Sequence, residues 1–280
     1  RELHKGGVGA TVRCYRTSER ALGGKRGLAV RAMCECHRGW LLVGRDGGSI
    51  DLLSWEEAKK GSRGVSELPA IPDAPIQKAR DDRVTCLEWL DQHRLLVSFR
   101  LAGTWVVRCG EPGDTPVPTW IRGAFDAAWK EKSALFSDLR GVSGFVPMEF
   151  GTESRWLLFS ESGRVWILSD DGTGLQPEEL ESLWPVEETP GFISDFAVVK
   201  PPHVDRTRDD DEGFDYRLYE SRGVYVSTDI GVYLLHWEKG TKERPRPKRM
   251  SLPGLGRMCI AVTYYADENS AFLWVSDSAG

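Results

Sequence analysis

Apolar residues in this chain gather in short runs bounded by glycine and charge, and the runs recur in one order. A β-rich run leads into a tight turn ending in glycine, and a second β-rich run follows with an aromatic or aliphatic pair. Copies lie at 40–53, 95–107, 156–168 and 224–235, with turn glycines at Gly48, Gly103, Gly163 and Gly231. A fifth copy, 272–280, stops at Gly280. Each is preceded by a further β-rich run, at 29–36, 84–90, 142–150, 193–200 and 258–265. The apolar residues of these runs alternate closely or continue unbroken, as in strands covered on both faces. Every unit therefore reads strand, loop, strand, glycine turn, strand. The turn glycines are unevenly spaced, which puts the variation in the connections and hides a fourth, outer strand in the more polar linkers.

Self-similarity of this kind decides the architecture before any local signal does. The expectation is an all-β protein, a β-propeller of five blades with short inserted helices, forming a single domain over 1–280. Blade limits read 29–75, 83–120, 141–175, 193–240 and 256–280, the last completed by 6–16. The fifth copy lacks its third strand, while 6–15 resembles 103–109, so the N-terminal strand can finish the last blade. Sharing one blade between the ends closes a ring and removes exposed sheet edges. The other reading of 8–15 is the end of a blade belonging to a longer chain. The opening at Arg1 without Met reads as a processed or excised piece.

Three segments interrupt the repeat. The stretch 124–139 is rich in helix formers and brings Phe125, Trp129, Leu135 or Phe136 and Leu139 near helical spacing, which predicts an inserted helix. Residues 177–184 begin with Pro177 followed by acids and predict a second helix. Residues 201–213 have almost no apolar content and read as a mobile loop within the fourth blade.

Charge and cysteine usage narrow the classes of partner. The net charge is −5, from 37 basic and 42 acidic residues, and the basic residues are dispersed, so nothing resembles a footprint for a phosphate backbone. Apolar runs fall far short of the roughly 20 residues of a membrane helix. The expectation is a soluble protein with neither nucleic acid nor membrane as partner. Cys14, Cys34, Cys36, Cys86, Cys109 and Cys259 are scattered, mostly inside strand-like runs, as buried reduced thiols of a cytoplasmic protein would be. Cys34, Cys36 and His37 have metal-ligand chemistry, but two cysteines two apart on a strand share a face, which core packing also produces. No metal and no cofactor is expected.

The turn segments 226–233 (Val-Ser-Thr-Asp-Ile-Gly-Val-Tyr) and 43–48 (Val-Gly-Arg-Asp-Gly-Gly) resemble the bacterial two-component-regulator propeller repeat, a WD40-like family with a Trp-x-Gly-Thr-x-x-Gly-Leu pattern. The resemblance covers most of the chain, and it implies a sensor or protein-docking domain of a regulatory assembly. Ser227, Asp229 and Gly231 also match the first half of the Asp box of sialidase-like propellers. Tyr233 and Leu234 stand where that motif has Thr and Trp, which sets that family aside.

A glycoside-hydrolysing or carbohydrate-binding propeller using its central channel is the alternative, and hydrolysis would need converging carboxylates of unequal pKa. Candidates are Glu35, Asp51, Glu88, Glu149, Asp195 and Asp267, whose places within the repeat differ from blade to blade. No Gly-x-Ser-x-Gly elbow occurs, and the five histidines lie in turns, in 201–213 or at strand ends. The glycine-rich 6–9 and 44–48 do not lead from a strand into a helix, so they are not phosphate cradles. Of the 11 tryptophans, Trp40, Trp105, Trp156, Trp166 and Trp274 fall in repeated strands and read as blade packing. Trp120, Trp129 and Trp184 lie in insertions and are the better contact candidates. The basic, proline-containing 239–249 reads as a solvated linker or a mate for acidic groups. The expected function is non-catalytic binding of another protein through the face bearing the strand turns. That face displays Arg45, Asp46, Arg100, Glu161, Asp229 and Asp277.

Overall fold

The computed structural model describes residues 2–3, 12–13, 29–36, 39–54, 65–67, 82–109, 117–125, 133–150, 153–199, 223–237, 244–252, 259–266 and 271–277. The chain forms two compact units, Arg1–Gly141 and Val142–Gly280. In the first, β1 (Glu2–Leu3) pairs antiparallel with β2 (Val12–Arg13). A four-stranded sheet follows in the order β3 (Val30–Cys36), β4 (Trp40–Arg45), β5 (Ile50–Ser54), β6 (Val65–Glu67). The second sheet runs β7 (Val84–Trp89), β8 (Arg94–Phe99), β9 (Gly103–Arg108), β10 (Ser133–Phe136), with helix α1 (Val117–Ala124) between its last two strands.

The second unit repeats the plan. Its sheets are β11 (Val142–Phe150), β12 (Glu153–Ser160), β13 (Val165–Asp170), β14 (Leu175–Glu179), and then β15 (Ile193–Val198), β16 (Gly223–Thr228), β17 (Gly231–His236), β18 (Arg246–Arg249). The pair β19 (Cys259–Ala266) and β20 (Ala271–Asp277) follows. All these pairings are antiparallel between consecutive strands, so each sheet is a meander and a blade of the expected kind.

The first strand of each four-stranded sheet, and β19, carries the same irregularity. Register shifts by one residue between Val30 and Ala32, Val84 and Cys86, Val142 and Gly144, Ile193 and Asp195, and Cys259 and Ala261. Such a bulge adds twist where a strand begins. Two of the bulged residues are anchored by their hydroxyls: Ser143 donates to the Phe159 carbonyl and Ser194 to that of Ser227. The β19–β20 pair shares the bulge, which marks it as the start of the same unit.

Cores form where one sheet's first strands meet the next sheet's. In the first unit Leu42, Leu52, Val84, Leu87, Val97 and Phe99 are buried together. A Cβ on Gly44 would lie 2.4 Å from a Val84 methyl, so only glycine lets β4 and β7 approach this closely. In the second unit Val146, Leu157, Phe159, Val224, Val226 and Tyr233 form the core, and Phe159 stacks on Phe196 at 5.6 Å.

Outer strands do emerge from the polar linkers in four sheets, as β6, β10, β14 and β18. They also overturn both helix expectations. The helix near 124–139 is displaced to α1, and Ser133–Phe136 is a strand, because the open edge of β9 offers a ladder that outweighs local helix preference. The segment 177–184 is not helical either. Pro177 sits in β14 opposite Leu168, an outermost position where its missing N–H costs no interior bond. Consequently the second, third and fourth sheets run past the expected limits of 120, 175 and 240. The loop 201–213 and most of 6–16 lie outside the described residues.

Candidate docking surface

Strands that alternate in direction bring two features of each blade to one end: the start of its first strand and the turn between its second and third. In the first unit these are stitched together by main-chain bonds. The Asp46 amide donates to the Ala29 carbonyl at 3.0 Å, and the Gly47 amide to the Asp82 carbonyl at 2.7 Å. Asp82 is 1 % exposed, and its carboxylate accepts from the amides of Arg83, Leu101 and Ala102 at 2.8, 3.0 and 3.1 Å. One side chain thus holds the lead-in of β7 against the β8–β9 turn. That turn is tied onward, since the Gly141 amide donates to the Phe99 carbonyl at 2.9 Å and the Thr104 hydroxyl to that of Leu139 at 2.6 Å.

The second unit uses different atoms for the same purpose. Asp229 in the β16–β17 turn accepts from the Gly191 amide at 3.0 Å, just before β15. In the β12–β13 turn, Gly163 has φ +79°, and a Cβ there would meet the Pro190 carbonyl oxygen at 2.5 Å. These bonds anchor the turns in place.

The nine expected contact residues divide under this geometry. Arg100 is exposed in the β8–β9 turn. Asp46 stands in the β4–β5 turn, and the Arg31 guanidinium grips it through two bonds of 2.7 and 3.1 Å, which holds its carboxyl below the usual range. Glu161 and Asp229 are half-buried in turns, and Asp277 is half-buried at the end of β20. Arg45 is no surface residue. At 4 % exposure it points inward, drawn to buried Asp51 by a 2.5 Å bond from its Nε. Trp184 is buried as well, its indole N–H donating to the Gly163 carbonyl at 3.1 Å and its ring edge-on to Tyr233 at 5.2 Å. A tryptophan that closes the core beside a turn cannot anchor a partner. Trp120 lies on α1, and Trp129 falls outside the described residues.

Sequence reasoning missed Arg83, Leu101 and Arg140, which share the end carrying Arg100. Leu101 is 49 % exposed, and Arg140 is exposed with its Nε donating to the Ser137 carbonyl at 2.8 Å. The available signal was position: charged residues directly before the bulged strands, and a leucine inside a turn.

The carboxylates proposed for glycoside hydrolysis have other partners. Asp51 is committed to Arg45, and Asp195 accepts from the amides of Phe196 at 2.9 Å and Val262 at 3.1 Å, fastening β19 to β15. Glu35 is exposed. Glu88 is exposed as a residue, but protein atoms crowd its carboxyl and push it up to about 7. Asp267 and the Glu149 side chain lie outside the described residues.

Cys34, Cys36, Cys86 and Cys109 are buried free thiols, and burial raises Cys34, Cys86 and Cys109, the last to about 12. Among the described residues no group of His, Cys, Asp and Glu side chains is arranged to hold a metal ion. No helix among them is long and apolar enough to cross a membrane.

These repeated, bulged four-stranded meanders define a β-propeller fold. No family model and no curated protein matches the chain. Among solved structures it is similar to the β-propeller domain of Cps50 (Swd1) from Myceliophteria thermophila, at 12 % identity and TM-score 0.51, covering 86 % of this chain and 65 % of that one. It is also similar to the extracellular domain of a hybrid two component system from B. thetaiotaomicron, at 10 % identity and TM-score 0.48, over 88 % and 26 % of the two chains. The WD40 domain of SCAP from fission yeast matches at 10 % identity and TM-score 0.35, over 81 % and 45 %. The chain thus spans slightly under two thirds of the Cps50 domain's chain and less of the others.

Proposed function

We propose that this propeller is a non-catalytic docking domain that binds another protein through the ends bearing its strand turns, as the sensor or docking part of a larger regulatory assembly. The observation that carries the reading is the pinned β8–β9 turn. Asp82 fixes its backbone while Arg100 and Leu101 stay exposed, so a partner meets a surface that loses little freedom on binding. The hydrolase alternative has less support, because Asp51 and Asp195 are spent on structure. The test is photo-crosslinking in extract of the native host, with benzoylphenylalanine replacing Leu101 or Glu161 at turns, or Leu135 on outer strand β10. Adducts from the turn positions and none from Leu135 are expected. Adducts only from Leu135, or from none of the three, overturn the reading.

We further propose five blades, with 6–16 completing the one begun by β19 and β20. On β20, Phe272 and Trp274 are 48 % and 68 % exposed, whereas Leu42, Leu96 and Leu157, aligned with Trp274 by the bulge register, are buried. Removing residues 1–16 should then speed thiol labelling of a Ser276→Cys variant. An unchanged labelling rate removes the support for this completion.

A further inference from the structure

The turn end of the first unit carries an unbroken line of arginines on adjoining loops. Arg31 grips Asp46, and Asp46 forms an antiparallel bridge with Arg83. The Arg100 amide donates to the Arg83 carbonyl at 3.0 Å, and Phe99 beside it accepts from Gly141, next to Arg140. Neighbouring loops joined by main-chain bonds sit within roughly 5 Å of each other, so exposed Arg31, Arg100 and Arg140 lie on adjoining loops at one end of the unit, while the Nε of half-buried Arg83 is turned inward. Among the described residues its acids are few: Asp46 is already held by Arg31, Asp82 is buried on three amides, and Asp138 lies two residues before Arg140, while Asp81 falls outside the described residues. Among the described residues no carboxylate pairs with Arg100 or Arg140. In the second unit the β12–β13 and β16–β17 turns carry Glu161 and Asp229. A basic ridge on a chain of net charge −5 is a local feature, opposed to the overall charge.

We propose that this ridge docks an acidic segment of a partner protein, with carboxylates on Arg100 and Arg140 and an apolar side chain against Leu101. The proposal rests on the docking reading above and names the partner's chemistry. Charge complementarity selects acid, since planar guanidinium groups take carboxylates bidentately. Two features select peptide over nucleic acid. The ridge offers fewer cations than the roughly six to ten phosphate contacts of a typical nucleic-acid site. Leu101, 49 % exposed at its centre, suits an apolar side chain and gives a phosphate backbone nothing.

The probe is a fluorescein-labelled peptide of repeating Asp-Glu-Leu, titrated into the intact protein by anisotropy at low and moderate salt, with poly(U) RNA as competitor. Wild type should bind the peptide, more weakly as salt rises. Arg100→Glu with Arg140→Glu should weaken binding about tenfold or more, and Arg100→Gln with Arg140→Gln less, while Arg244→Glu in the second unit changes it by less than about twofold. Melting curves of the Gln pair matching wild type exclude misfolding as the cause. Affinity unmoved by either pair, or poly(U) displacing the peptide and itself depending on the same arginines, overturns the proposal. Turn crosslinks at Leu101 without peptide binding would remove only the acidic chemistry; absent crosslinks would remove the docking reading beneath it.

Discussion

Arg45 shows how one buried partner reverses the meaning of a turn residue. Beside a glycine turn an arginine is ordinarily displayed to solvent, yet Asp51 lies buried on β5, and a buried carboxylate without a cation would be far costlier than drawing the arginine in. Removing one member should therefore hurt more than removing both. Asp51→Asn leaves a buried guanidinium and is expected to cost about 3–5 kcal/mol in urea unfolding. Arg45→Met combined with Asp51→Leu removes the desolvation of both charges and should recover most of that loss. Equal destabilisation by the single and the double variant would show that the pair does not act as a unit. Trp184 misleads in the same way: a chain position inside an insertion does not reveal that Tyr233 and the Gly163 carbonyl wait for its ring.

At the scale of strands and turns, the five apolar runs that precede the turns became first strands almost residue for residue, because alternation of Val, Leu and Cys over a few positions has no other stable use. The outer strands were legible only as a missing fourth member. Their sequences, such as the LQPEE of β14 and the RPKR of β18, have little β preference and are recruited by the edge they meet. The bulges were not legible: Val84-Thr-Cys and Ile193-Ser-Asp share an aliphatic residue followed by a hydroxyl, but Val30-Arg and Cys259-Ile do not, and the irregularity appears only in the pairing. The candidate surface was partly legible. Arg100 could be placed in a turn, whereas Asp82 acts across 19 and 20 residues of chain on Leu101 and Ala102. Asp82→Ala should leave those amides without acceptors, lower stability by roughly 1–3 kcal/mol and speed their hydrogen exchange well before the β8 amides are affected. Asp82→Asn, which keeps one acceptor oxygen, should fall between. Uniform acceleration across β7, β8 and β9 would instead mean that the carboxylate supports the whole sheet.

Across the whole chain, the buried acids with raised pKa values act in one direction. Cys34, Cys86 and Cys109 are lifted mainly by burial, and Tyr233 reaches about 12 through burial and its 3.0 Å bond to Glu188. The folded protein holds these protons to higher pH than the unfolded chain, whose thiols release theirs near 9.0. Where the unfolded state binds fewer protons, stability falls as pH rises. The contribution of these groups is thus fully present below about pH 9 and is lost progressively as pH climbs towards 12. Glu88, raised to about 7, has the same sign between its ordinary 4.5 and 7, with a smaller effect because the residue keeps solvent contact. The urea midpoint should accordingly drift down slightly between about pH 5 and 7, hold level, and then drop steeply above about pH 9. Replacing Cys34, Cys86 and Cys109 together by valine should flatten the alkaline drop. Each thiol can supply at most about 1.4 kcal/mol per pH unit, so three acting together would dominate the slope. If wild type and the triple variant lose stability in parallel above pH 9, the native thiols ionise freely and the core between β3 and β7 is open to solvent.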